Sequence, residues 1–112
     1  MAIEFNGKTI ETNEKGYLEN LDDWSEELAN VMASAEGIEL GEKHWDVINF
    51  LREEYYDNHQ NQPNTRAIIK AMTVKWGAKP SQKDLYDLFP HDPSKQGARI
   101  AGLPESRRKG GY

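Results

Sequence analysis

Leu85-Tyr86-Asp87-Leu88-Phe89-Pro90-His91-Asp92-Pro93-Ser94-Lys95-Gln96-Gly97-Ala98-Arg99-Ile100-Ala101-Gly102-Leu103-Pro104 decides how this chain is read. Leu85, Leu88 and Phe89 are the buried anchors of one short helix, expected over Gln82 to Phe89, which Pro90 stops. Asp92 is the N-cap of the next helix, with Pro93 at its first position and Gly102 just past its end. Gly102-Leu103-Pro104 then hands the chain to a tail with no core-facing pattern.

Upstream of that stretch, Ser81 caps the Gln82 helix, and Gly77-Ala78-Lys79-Pro80 closes the helix before it, expected over Thr65 to Trp76. Asn64 is its N-cap. Ala67, Ile68, Ala71, Met72 and the stem of Lys75 face inward. The most hydrophobic helix should run from Glu42 to His59, with Trp45, Ile48, Leu51, Arg52 and Tyr55 on one face and Val47 and Phe50 widening the arc. A first helix, capped among Asn20 to Asp22, carries Trp24, Leu28, Val31, Met32 and Ala35 as one apolar stripe and ends at Gly37. At the N-terminus, Ile3-Glu4-Phe5 and Lys8-Thr9-Ile10 flank Asn6-Gly7. Asn-Gly is a strong hairpin signal, because a type I′ turn needs positive φ at both central residues. Strands this short must lie on the helices to be stable.

The 112 residues suit one domain, 1–104, followed by a flexible arm, 105–112. Three Trp, five Tyr and three Phe supply large apolar areas to bury. No apolar run approaches the roughly 18 residues that span a bilayer, and the N-terminus lacks the basic-then-apolar order of a signal peptide, so the cytoplasm and no membrane partner are expected. There is no cysteine, which excludes disulfides, thiolate chemistry and Cys-ligated zinc on these residues. His44 and His59 stand about 22 Å apart on one helix at ~1.5 Å per residue, so they do not share a metal. No phosphate-cradling glycine loop, no His-Glu-x-x-His motif and no nucleophile elbow are present. The expectation is no metal, no cofactor and no enzyme.

Charge divides the chain. Residues 1–60 hold 15 Asp/Glu against 4 Lys/Arg, a balance of −11, whereas residues 61–112 hold 4 against 10, a balance of +6. The split reads either as a basic docking face for an acidic partner or as two solvated faces. Two binding features follow. The two helices around Gly77-Pro80 resemble a helix-turn-helix surrounded by Arg66, Lys70, Lys75, Lys79, Lys83, Lys95 and Arg99, a pattern for phosphates, although Asp84 and Asp87 on the second helix repel them. Arg107-Arg108-Lys109 forms a basic cluster on the arm, suited to a partner cleft.

The hairpin, Gly16-Tyr17-Leu18, Trp24, Glu42 to Glu53, Pro63 with Arg66 and Lys70, and the stretch from Leu85 to Pro104 together resemble the DsrC/TusE family of sulfur-relay proteins across nearly the whole chain. The resemblance implies a mostly α (α+β) fold: a small N-terminal β-hairpin packed on a five-helix orthogonal bundle, with a helix-turn-helix-like region and a flexible C-terminal arm. It implies a sulfur relay, in which a penultimate cysteine carries persulfide sulfur either toward tRNA thiolation or within dissimilatory sulfur metabolism. Here Gly111 matches that cysteine and Ala98 matches the family's second cysteine, and neither side chain forms a persulfide. The expectation is a non-catalytic regulatory or docking paralogue. Its partners would be a sulfurtransferase complex or sulfite reductase subunits, bound through Arg66, Lys70, Lys95, Arg99, Arg107, Arg108 and Lys109. The alternative is a DNA-binding transcriptional regulator using the helix-turn-helix-like region.

Overall fold

The computed structural model describes residues 2–105. Strands β1 (Ala2–Phe5) and β2 (Lys8–Glu11) pair antiparallel, with Ile3 opposite Ile10. Asn6 and Gly7 at the turn take φ of 51° and 78°, the positive values a tight hairpin needs. Ile10 is buried and, with Leu18, Leu28 and Met32, forms a small cluster that seats the hairpin on the helices.

Among the described residues five α-helices follow: α1 (Glu26–Ala35), α2 (Glu42–Asp57), α3 (Thr65–Trp76), α4 (Gln82–Leu88) and α5 (Pro93–Ile100). The architecture is the mostly helical one expected, with the two-stranded hairpin at its N-terminus. Val47, Ile48 and Leu51 of α2, Ile68 and Met72 of α3, Leu85 and Phe89 at α4, and Ala98 and Ile100 of α5 share the main core. Each large side chain so buried contributes ~1.5–3 kcal/mol. Gly97 lets α5 lie close on α2, since a Cβ there would stand 3.0 Å from Leu51 Cδ1.

Several local expectations are corrected. Asn20 caps a 3₁₀ turn, Leu21–Asp23, and Ser25 caps α1 by accepting from the Leu28 N–H. Trp24 therefore precedes α1 and does not belong to its stripe. The buried stripe is Leu28, Ala29, Met32 and Ala33, while Val31 and Ala35 are exposed. The stripe turns about the helix by one residue because Trp24 packs from the preceding loop. Helix α2 stops at Asp57, since His59 and Gln60 take left-handed φ of 53° and 60°. Phe89 is the C-cap of α4 and not its last helical residue. In α3, Ala67 and Ala71 are half-buried, Thr65 is buried, and Lys75 is exposed with its ammonium 3.8 Å from Asp46. The caps Asn64, Ser81 and Asp92 are as expected, each accepting from N–H groups of the following turn. Among the described residues no helix is long and apolar enough to cross a membrane.

Candidate partner-binding site

The C-terminal exit is built residue by residue. Helix α5 closes with the Gly102 N–H on the Arg99 carbonyl and the Leu103 N–H on the Ala98 carbonyl, a Schellman closure that requires φ of 75° at Gly102. Side chains from three other regions then take three further carbonyls. Trp24 Nε1 donates to Ile100 O at 2.9 Å, Arg52 Nη1 to Ala101 O at 2.7 Å and Gln62 Nε2 to Pro104 O at 2.7 Å. The Arg52 guanidinium also lies 3.7 Å from the centre of the Trp24 ring and 5.0 Å from that of Tyr56. Just past those carbonyls, Glu105 accepts from Lys15 Nζ at 2.7 Å.

Beside that exit, a cleft of 620 Å³ opens between the hairpin, α1 and α5, lined by Ile3, Lys15, Met32, Glu36, His91 and Arg99 among others. Arg99 is committed there. Its Nε and Nη2 both donate to the Glu36 carboxylate, its Nη1 donates to Lys15 O at 3.2 Å, and it lies 5.9 Å from the Tyr17 ring centre. Gln96 Nε2 donates to the same carboxylate at 2.7 Å. Burial pushes the Tyr17 phenol up, against the pull of Arg99, and its hydroxyl donates to the Lys95 carbonyl at 3.3 Å.

The expected binding residues fall into separate places. Lys95 and Arg99 lie on α5 at the exit, with Lys95 half-buried and in no ion pair among the described residues. Arg66 and Lys70 are exposed on α3 and line a different concavity, a groove of 520 Å³ between α3 and α4 shared with Ile69, Thr73, Val74, Lys79 and Gln82. Ala98 is 4% exposed, within the core. Arg107, Arg108, Lys109 and Gly111 lie outside the described residues. Sequence reasoning did not mark Lys15, Arg52 or Gln62 as holding the exit. Arg52 gave one signal, a cation within an apolar helical face; Lys15 and Gln62 gave none. Among the described residues no three His, Asp or Glu groups converge as a metal site.

Helices α3 and α4 follow each other across a short connection, but α4 exposes Asp84 and Asp87, and Lys83 pairs with Asp87 at 3.1 Å. Tight backbone and side-chain bonding at Ser81 holds the Asp84 carboxyl below its ordinary range.

Residues 4–108 match the family model described as DsrC like protein. The chain is 47% identical over 104 residues to a protein of Yersinia pestis named Sulfurtransferase TusE, covering 92% of this chain and 94% of that one. Among solved structures it is similar to Allochromatium vinosum DsrC, at 47% identity and a TM-score of 0.82 over 96% of each chain. It is also similar to the oxidized gamma-subunit of the dissimilatory sulfite reductase (DsrC) from Archaeoglobus fulgidus, at 32% identity and a TM-score of 0.85 over 96% of this chain and 98% of that one. These relatives correct one expectation. The missing thiol led to the reading that the chain is not an enzyme, yet the relatives it matches along nearly their whole length are named sulfurtransferases. The likeness extends over the whole fold, so one absent side chain was too narrow a basis for that reading.

Proposed function

The chain belongs to the DsrC-like protein family, and from that premise we propose that it serves a cytoplasmic sulfur relay as a docking component. Its partners in this reading are sulfurtransferase subunits or subunits of a sulfite reductase, since one relative is named a sulfurtransferase and another a gamma-subunit of the dissimilatory sulfite reductase. The observation that carries the reading is the fastened exit. Trp24, Arg52 and Gln62 each bind a different backbone carbonyl between Ile100 and Pro104. A segment held this firmly presents its own surface in one geometry, which lowers the ordering cost when a partner binds it. The 112 residues contain no thiol, so a persulfide handled in such a complex sits on a thiolate of the partner. Lys95 and Arg99 at the exit, Arg66 and Lys70 on α3, and Arg107, Arg108 and Lys109 beyond the described residues are the proposed contacts. A protein partner is favoured over DNA because α4 carries exposed Asp84 and Asp87 where phosphates would come.

The test is capture from native cell extract on the tagged full-length chain, beside a variant carrying Arg66→Ala and Lys70→Ala and another lacking residues 106–112. Recovery of sulfur-relay or sulfite reductase subunits, reduced in either variant, is the expected result. Recovery of nucleic acid alone, or of no relay protein, overturns the proposal.

A further inference from the structure

The groove between α3 and α4 gathers three exposed basic side chains in one concavity. Four of the other cations have acidic partners, Lys15 with Glu105, Lys75 with Asp46, Lys83 with Asp87 and Arg99 with Glu36, while Lys43 and Arg52 lie over aromatic rings. Arg66, Lys70 and Lys79 are exposed and pair with no carboxylate among the described residues. They surround an apolar strip. Val74 is 83% exposed near the end of α3, and Ile69 and the methyl of Thr73 lie beside it, the Thr73 hydroxyl being turned back to donate to the Ile69 carbonyl at 2.7 Å. An isolated exposed valine is ordinary; an exposed valine in a concavity of 520 Å³ rimmed by three unpaired cations is not.

We propose that this groove seats an acidic amphipathic helix of a partner protein. Its apolar face lies on Ile69 and Val74, and its carboxylates meet Arg66, Lys70 and Lys79. Charge complementarity selects the occupant, because three cations without local carboxylates both attract an acidic segment and repel a basic one. Geometry selects a helix. Arg66 and Lys70 are one turn apart on α3, ~6 Å along its axis, which is the spacing of carboxylates placed four residues apart on an incoming helix. Two helices side by side present a groove that takes the apolar ridge of a third. A phosphate backbone makes poor use of the apolar floor and meets Asp84 and Asp87 on the neighbouring face of α4.

This inference rests on the docking reading for the partner's identity but not for the chemistry of the groove, so the two are tested separately. The isotope-labelled full-length protein is titrated, with amide shifts as the readout. The probe is a synthetic helical peptide with leucines along one face and glutamates at four-residue spacing on its flanks. Control peptides replace the leucines by serine or the glutamates by lysine, and a DNA duplex is run in parallel. Saturable shifts confined to residues 66–74 and 79–82 are expected with the first peptide only, weakened at least about tenfold by Val74→Glu, the size of effect of a central contact residue. Val74 is too exposed for that change to threaten the fold, and Arg66→Glu with Lys70→Glu provides a second, independent variant. Equal binding of the serine or lysine peptide, stronger binding of DNA, shifts elsewhere, or concentration-dependent self-association through the groove each overturn the proposal. Capture from extract then separates the two readings. If wild type and Val74→Glu recover relay subunits equally, the groove is overturned as the partner's seat and the docking reading stands. If neither recovers them while the acidic peptide still seats, the docking reading fails and the groove's specificity stands.

Discussion

Gly102 lies so close against Trp24 that a Cβ on it would stand 2.2 Å from Trp24 Cδ1 and 2.4 Å from Cγ. Trp24 cannot move aside without losing its indole hydrogen bond to Ile100 O and its stack with Arg52. Gly102 also holds φ of 75°. Gly102→Ala therefore combines left-handed strain of ~1–2 kcal/mol with overpacking of ~1–3 kcal/mol, a loss of about 2–5 kcal/mol in urea unfolding. Gly7→Ala is the control. Its φ is 78° but nothing lies within 4 Å of the added methyl, so it loses the strain alone. Equal losses at the two sites would contradict the Gly102–Trp24 contact.

Arg52 acts through both its plane and its donors, covering Trp24 while Nη1 reaches the Ala101 carbonyl. A lysine keeps the charge and loses the flat fork that does both. Arg52→Lys should destabilise by about 1–3 kcal/mol, from a charged hydrogen bond and a stack on an aromatic ring. Faster amide exchange at Gly102 and Leu103 relative to α5 is the local signature. A uniform rise across the molecule would mean that Arg52 supports the fold in general and not the exit.

Helix existence and most caps were legible because each rests on local chemistry: Asn64, Ser81 and Asp92 precede apolar periodicity and cap as their side chains dictate. Helix α1 was misread at its start because Asn20 and Ser25 are both good caps, and only tertiary packing of Trp24 decides between them. The exit clamp was hidden for another reason. Arg52–Ala101, Gln62–Pro104 and Lys15–Glu105 join residues 49, 42 and 90 positions apart. No periodicity encodes such pairs. Arg99 was singled out as a basic contact, and its pairing with Glu36, 63 residues away, was equally invisible.

Glu36 and Arg99 are each about one-fifth exposed and joined by two N–H donors, with Gln96 on the same carboxylate. An exposed pair contributes little, whereas this one is mostly sheltered and bidentate. A double-mutant cycle of Glu36→Gln and Arg99→Lys should return a coupling of about 1–2 kcal/mol, falling in high salt less than a surface pair would. Zero coupling would free Arg99 for the partner contact proposed for it.

His44 makes stability depend on pH. Its Nδ1 accepts from the Gly41 N–H at 3.0 Å, so its Nε2–H donates to the Leu88 carbonyl at 3.0 Å, with the ring edge-on to Phe89. Burial pulls the imidazole below its ordinary 6.5, opposed in part by the Leu88 carbonyl. The unfolded chain then binds the proton more readily than the folded one. The contribution is complete above the unfolded value and is lost as pH falls through the folded one. Urea unfolding should weaken from about pH 7 to about pH 5, and His44→Gln should flatten that slope. An unchanged slope in the variant would assign the dependence to other groups.

Ala98, the position matched to the family's second cysteine, is 4% exposed and packed in the main core. A thiol placed there by Ala98→Cys is shielded from reagents by α2 and by the closure of α5, where the Leu103 N–H binds the Ala98 carbonyl at 2.9 Å. Thiolates react only when exposed, so reaction with an aromatic disulfide must wait for local opening of α5. Val74→Cys, at a position 83% exposed, is the reference for an open thiol. The Ala98→Cys thiol should react at least roughly 100-fold more slowly in native buffer, the population ratio set by an opening of a few kcal/mol, and at the same rate in urea. If the native rates match, α5 opens freely. A thiol at this position would then be available to a partner without unfolding, and the rigid exit on which the docking proposal depends would be lost with it.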